Sequence, residues 1–95
     1  MPSKRRPVDR ESAEAMAIQG LAFLAEEPAR LQRFLLATGL EASDIRARAD
    51  SPELMSAVLE HLASDESLLL VFAASRQIAA DSIAPAIRAL LAPPP

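Results

Sequence analysis

The helix breakers set the limits of this chain. Proline stands at positions 28, 52 and 85, glycine at 39, and three prolines fill positions 93–95. Proline inside a helix removes a backbone hydrogen bond and clashes with the preceding turn, so it is tolerated only in the first turn. Every helix between these marks must therefore be short. The residues between the marks favour helices nonetheless. Ala fills 20 of the 95 positions and Leu 14, whereas Val, Ile and Thr together fill nine. Ala and Leu head the helix-propensity ranking, and β-branched residues favour strands. The chain is predicted to be all-α: a compact irregular or orthogonal bundle of five to six short helices.

Local signals place those helices. The first is predicted over Arg10 to Ala25, with Asp9 as N-cap and Glu11 and Glu14 near the positive end of its dipole. Ala13, Met16, Ala17, Leu21 and Leu24 recur at helical spacing, and Ile18, Ala22 and Phe23 widen that apolar face. Gly20 within it costs about 1 kcal/mol relative to Ala, which close approach of a neighbouring helix would explain. Pro28 opens the second helix, and Leu31, Phe34 and Leu35 form its buried stripe. Gly39 closes it in a left-handed conformation, with Leu40 as the apolar lid on that cap.

Ser43 is predicted to cap a short third helix from about Asp44 to Ala49. Asp50 and Glu53 frame Pro52 in a capping-box-like pattern. Leu54, Met55, Val58, Leu59 and Leu62 then define a fourth helix ending near Ala63. Ser64 is predicted to cap the fifth. Its run Leu68–Ala74 is apolar all round, which makes it the natural centre of the bundle. Ser82 as the next cap places Pro85 in the first turn of a last helix starting at about Ile83, and Gln77–Ala80 is left as a loop. The predicted core holds Met16, Leu21, Leu24, Leu31, Phe34, Leu35, Val58, Leu59, Leu62, Leu69, Phe72 and Ile87.

The segments AEAMAIQGLAFLAEEP (13–28), RFLLATGL (33–40), DSPEL (50–54) and ASDESLLLVFAA (63–74) carry a resemblance. Together they resemble a family of small uncharacterised all-helical alphaproteobacterial proteins, a domain of unknown function. The resemblance covers Ala13 to Leu91. It implies the helical fold and brings no activity, cofactor or site residue. One position departs from the family pattern: a Gly follows the central helix in similar chains, and here Gln77 stands there.

Charge divides the chain. Residues 1–10 carry +3 and residues 11–95 carry −6, which gives the formal net charge of −3. Residues 1–8 are predicted to be a disordered basic tail, 9–92 one helical domain and 93–95 a proline tail. An acidic body is a poor general surface for nucleic acid, because duplex binding draws on neutralised phosphates. Lys4, Arg5, Arg6, Arg10, Arg46 and Arg48 are the residues that would contact phosphate if the chain did so. The segment Leu31 to Ala49 resembles a helix-turn-helix outline, but Asp44 and Asp50 flank its arginines. No apolar run exceeds seven residues, and a membrane-spanning helix needs about 20. The charged stretch from Asp9 to Glu14 stands where the apolar run of a secretory signal would begin. A soluble, cytoplasmic protein is expected.

Chemistry is thinly represented. Cys is absent, which removes disulfides and thiolate metal sites, and His61 is the single histidine. One His beside Glu60 and Asp65 is not a ligand set, and a place in the last turn of a helix accounts for it. Ser64-Asp65-Glu66-Ser67 is explained by capping without invoking a nucleophile. Gly20 and Gly39 stand apart, so no phosphate-cradling loop is present. Phe23, Phe34 and Phe72 fall on apolar helix faces and offer no stacking platform for bases.

The expectation is a non-enzymatic protein-interaction module without cofactor. Its partner would be a protein or a second copy of itself, with no small-molecule ligand and no membrane. Leu36, Leu40, Met55 and Ile78 fall off the main stripes and are the candidate docking positions. The alternative is a small regulator that contacts nucleic acid through the basic arm.

Overall fold

A computed structural model describes residues 8–93. Six α-helices follow one another: α1 (Arg10–Ala25), α2 (Pro28–Thr38), α3 (Ala42–Arg48), α4 (Pro52–Ala63), α5 (Glu66–Arg76) and α6 (Ile83–Leu91). A 3₁₀ turn, Ala80–Ser82, precedes α6. The fold is all-α. The Cα radius of gyration is 13.2 Å, close to the roughly 13 Å of a packed 100-residue chain. The basic residues Lys4, Arg5 and Arg6, with most of the predicted tail, lie outside the described residues. Val8, assigned to that tail from the sequence, is half-buried against the core.

Three helices build the centre. α1, α4 and α6 pack most closely on one another, and α2 and α5 flank them. α4 contributes Leu54, Met55, Ser56, Val58, Leu59 and Leu62 to the interior. α1 contributes Ala13, Met16, Ala17, Phe23 and Leu24, and α6 contributes Ile83, Ala86 and Leu90. Of the predicted core, Met16, Leu24, Phe34, Val58, Leu59, Leu62 and Phe72 are buried. Leu21, Leu31, Leu35, Leu69 and Ile87 are half-buried against it. Gly20 lies on α4 as its cost implied: a Cβ there would stand 3.0 Å from Val58 Cγ1 and 3.0 Å from Leu62 Cδ1.

The apolar run of α5 does not form the centre. Only Phe72 and Ala73 of α5 are buried, while Leu70 is 54% and Val71 50% exposed. A run that is apolar all round carries no helical phase, so it cannot specify which side is covered. Phe72 decides the side by packing at a tilt against Phe23, with ring centroids 5.3 Å apart. The opposite face, with Leu70 and Val71, then points outward.

Three caps shift by one or two residues from their predicted places. α3 starts at Ala42, ahead of Ser43, because the Asp44 carboxylate reaches back to accept from the Glu41 backbone N–H at 2.8 Å. Ser51, and not Asp50, caps α4: its Oγ accepts from Leu54 N–H at 3.1 Å. That choice puts Pro52 at the first helical position, where its missing N–H costs nothing. Asp65 caps α5 by accepting from Leu68 N–H at 3.1 Å. Ser64 closes α4 instead, donating its hydroxyl to the His61 carbonyl at 2.7 Å. Asp9 and the Ile83 start hold as predicted, and Asp9 accepts from Ser12 N–H at 2.7 Å.

α5 ends in a left-handed residue, Gln77, at φ 57° and ψ 44°. The Ile78 N–H then bonds the Ala73 carbonyl at 2.9 Å, the long hydrogen bond of a Schellman cap. A non-glycine residue in this conformation costs about 1–2 kcal/mol. Gln77→Gly is therefore expected to stabilise the fold by about 1 kcal/mol, less than the full strain because glycine also loosens the unfolded chain. A rise in the urea midpoint at constant slope is the expected readout. A fall would mean that the Gln77 side chain contributes more than its backbone costs.

Candidate functional site

An open trough lies between α1, the α3–α4 junction and α4. It is lined by Ala17, Ile18, Leu21, Ala49, Asp50, Leu54, Met55 and Val58 and has a volume of about 300 Å³. Its origin is local. Ala17, Ile18 and Leu21 share one strip of α1, because residues three and four apart are neighbours on a helix. Leu54, Met55 and Val58 share the matching strip of α4. Ala17 and Ala49 are too small to fill the space between these strips, and a trough remains. Its lining is almost wholly apolar, and Asp50 stands exposed at its edge. Ile18 is 61% exposed.

The four candidate docking positions fall in different places. Leu36 projects from α2 at 75% exposure. Leu40 is half-buried and lies over the left-handed cap at Gly39, which is at φ 76°. Ile78 is half-buried beside the left-handed Gln77 and plays the same part for α5. Both are lids on helix ends. Met55 is 4% exposed and belongs to the core, so it is not a spare position. Its reach into the trough comes from beneath, as part of the floor. Ile18 and Ala22, predicted to widen the buried face of α1, are exposed instead. The signal for the trough was the pairing of small residues, Ala17 and Ala49, with the larger Ile18, Leu21 and Met55. It needs the relative placement of two helices, which periodicity within one helix does not give.

The candidate phosphate contacts do not converge. The Arg10 guanidinium donates to the carbonyls of Leu90 at 3.2 Å and Ala92 at 3.4 Å, at the end of α6. It also pairs with Glu14 at 3.7 Å. Arg10 thus ties the start of α1 to the end of α6 and is not part of a free arm. Arg46 and Arg48 are exposed in the last turn of the seven-residue α3, where they suit its negative end.

The two carboxylates at the turn between α1 and α2 are each engaged by an arginine. Glu26 pairs with Arg76, and Glu27 pairs with Arg30 at 3.1 Å. Among the described residues no group of three or more metal-ligating side chains could hold an ion.

His61 occupies the last turn of α4, half-buried, with its ring edge-on to Phe34 and centroids 5.3 Å apart. Burial lowers its pKa below the ordinary 6.5, against the opposing pull of the Asp65 carboxylate. The folded state therefore disfavours the imidazolium, and the unfolded chain takes up the proton more readily. Stability should be full above the unfolded pKa and fall as pH drops through the histidine range. The urea midpoint is expected to decline from about pH 7.5 to about pH 5, and His61→Gln should flatten that decline. A midpoint constant over this range would show that His61 titrates alike in both states.

Fold and site together define a small all-helical domain with an open apolar trough and no assembled set of reactive groups among its described residues. No single helix among them is long and apolar enough to cross a membrane. Residues 10–94 match the family described as "Protein of unknown function (DUF3572)", and the chain belongs to that family. No curated protein and no solved structure matches it.

Proposed function

We propose that this chain is a non-enzymatic protein-interaction module that docks a partner in the α1/α4 trough. The observation that carries this reading is the trough itself. It is an apolar recess, open on one side, with a large β-branched residue left 61% exposed at its edge. An apolar recess with one exposed β-branched residue at its edge offers an apolar side chain of a partner a place to insert. The trough is too open to enclose a small molecule, which in most sites is buried over 70–90% of its surface. The setting we propose is the bacterial cytoplasm.

The test pairs the wild-type chain with Ile18→Glu. Affinity capture from lysate, followed by mass spectrometry, is expected to retain a protein with wild type that Ile18→Glu loses. If light scattering shows a monomer and capture shows no Ile18-dependent partner, the docking reading fails.

A further inference from the structure

We propose that the outward face of α5 pairs with the same face of a second copy of this chain, the two helices antiparallel about a two-fold axis. The proposal is independent of the trough and rests on a different surface. Ser67, Leu70, Val71 and Ala74 recur at i, i+3, i+4 and i+7, so they share one strip of α5. All four are exposed, Leu70 at 54% and Val71 at 50%. From Ser67 to Ser75 the helix carries no charged side chain. Left in water, this strip forgoes the burial that Phe72 and Ala73 obtain on the opposite side.

The strip itself points to its occupant. Along the chain it runs small, large, large, small: Ser67, Leu70, Val71, Ala74. Turned end for end, it keeps that order. A two-fold axis between positions 70 and 71 therefore sets Leu70 of each copy against Val71 of the other. Ser67 of each then meets Ala74 of the other, and these small side chains let the helix ends approach. Charge selects the antiparallel sense. Glu66 borders the strip at its first turn. Parallel helices would set the two Glu66 carboxylates side by side, whereas antiparallel helices hold them about 14 Å apart along the axis. The helix dipoles then also oppose one another. Other occupants fit less well. A membrane surface is held by cations around an apolar face, and Arg76, the cation of α5, pairs with Glu26 instead. A charged peptide finds no counter-charge between Ser67 and Ser75. Four side chains cover less than the roughly 800 Å² per partner of a standard interface, so the pairing is weak, with a Kd of about 0.1–1 mM.

Sedimentation equilibrium of the full chain from about 10 μM to about 1 mM tests this. The average mass is expected to rise from monomer towards dimer over that range. Leu70→Glu and Val71→Lys, each alone, should weaken association about tenfold, because each sets a charge against an apolar side chain. Mixed in equal amounts, the two variants should associate more tightly than either alone. Position 70 of one chain then meets position 71 of the other, and the introduced charges pair. Ile18→Glu, at the trough, should leave the dimer unchanged, which separates this proposal from the docking reading. Circular dichroism confirms that each variant folds, as all three positions are exposed. A monomer throughout, a dimer indifferent to Leu70→Glu, or a mixture no tighter than its components overturns the proposal. So does a monomer that floats with phosphatidylcholine vesicles and loses them on Leu70→Glu.

Discussion

Cutting Phe72 to alanine is expected to destabilise the fold by about 3–5 kcal/mol, the range for a large buried aromatic. Phe72 is fully buried and tilts against Phe23, whose ring centroid also lies 4.1 Å from the Arg30 guanidinium. Two losses combine. The cavity term is one, and the aromatic pair, worth about 0.5–1.5 kcal/mol beyond area, is the other. Because α5 buries little besides Phe72 and Ala73, the variant should also free this helix from the rest. Amide exchange in α5 should then accelerate more than in α4. Phe72→Leu keeps most of the volume and should cost less than Phe72→Ala. Urea denaturation checks the magnitude. A loss below about 1 kcal/mol for Phe72→Ala would place the ring outside the cooperative core.

Gly20→Val is expected to cost about 3 kcal/mol, at the upper end of what overpacking usually exacts. The gain in helix propensity over glycine works in the opposite direction and is too small to offset it. The first added carbon already meets Val58 and Leu62 at 3.0 Å, and the two branches of valine reach further into α4. Val58 is β-branched and stiff about its first torsion, so it cannot swing aside cheaply. The helices must separate, and α4 carries the fully buried Leu59 and Leu62 at this level of the core. Thermal unfolding should show the loss as a fall of roughly 12–24 °C in Tm for a domain of this size. An unchanged Tm would mean that the α1–α4 spacing relaxes without strain. Paired with Val58→Ala, Gly20→Val should recover part of its loss, because the smaller neighbour yields the space.

The fold was more legible than the site, and particular residues show why. Pro28, Pro52 and Pro85 each start a helix within one or two positions, because a missing N–H has few acceptable places. Gly39 reported its own left-handed backbone. Gln77 did not: nothing in a glutamine announces a positive φ, and only the departure from the family pattern pointed there. The serine and aspartate caps were misplaced by one residue at 50–51 and 64–65, where Ser and Asp stand side by side. Either side chain can accept the same N–H there, and backbone direction decides. Leu40, read as the lid on the Gly39 cap, was also counted with Ile78 as surplus apolar surface, because a lid on a helix end lies off the stripe of its helix. The trough eluded the sequence for a related reason. It is made by what Ala17 and Ala49 leave unfilled, and an unfilled space belongs to a pair of helices and to neither one.

The clasp between Arg10 and the last carbonyls of α6 joins positions 80 and 82 residues apart. Arg10 is made 80 residues ahead of the Leu90 carbonyl that it holds. α1 and α4 leave the ribosome with the faces that will receive Ile83, Ala86 and Leu90 still open to water. Local turns of helix form at once, but the shared interior waits for the last of its three walls. That interior is shared by all three helices, so it is complete only when α6 joins α1 and α4. A chain cut before residue 83 therefore lacks Ile83, Ala86 and Leu90 and leaves uncovered an apolar half-core that the folded domain buries.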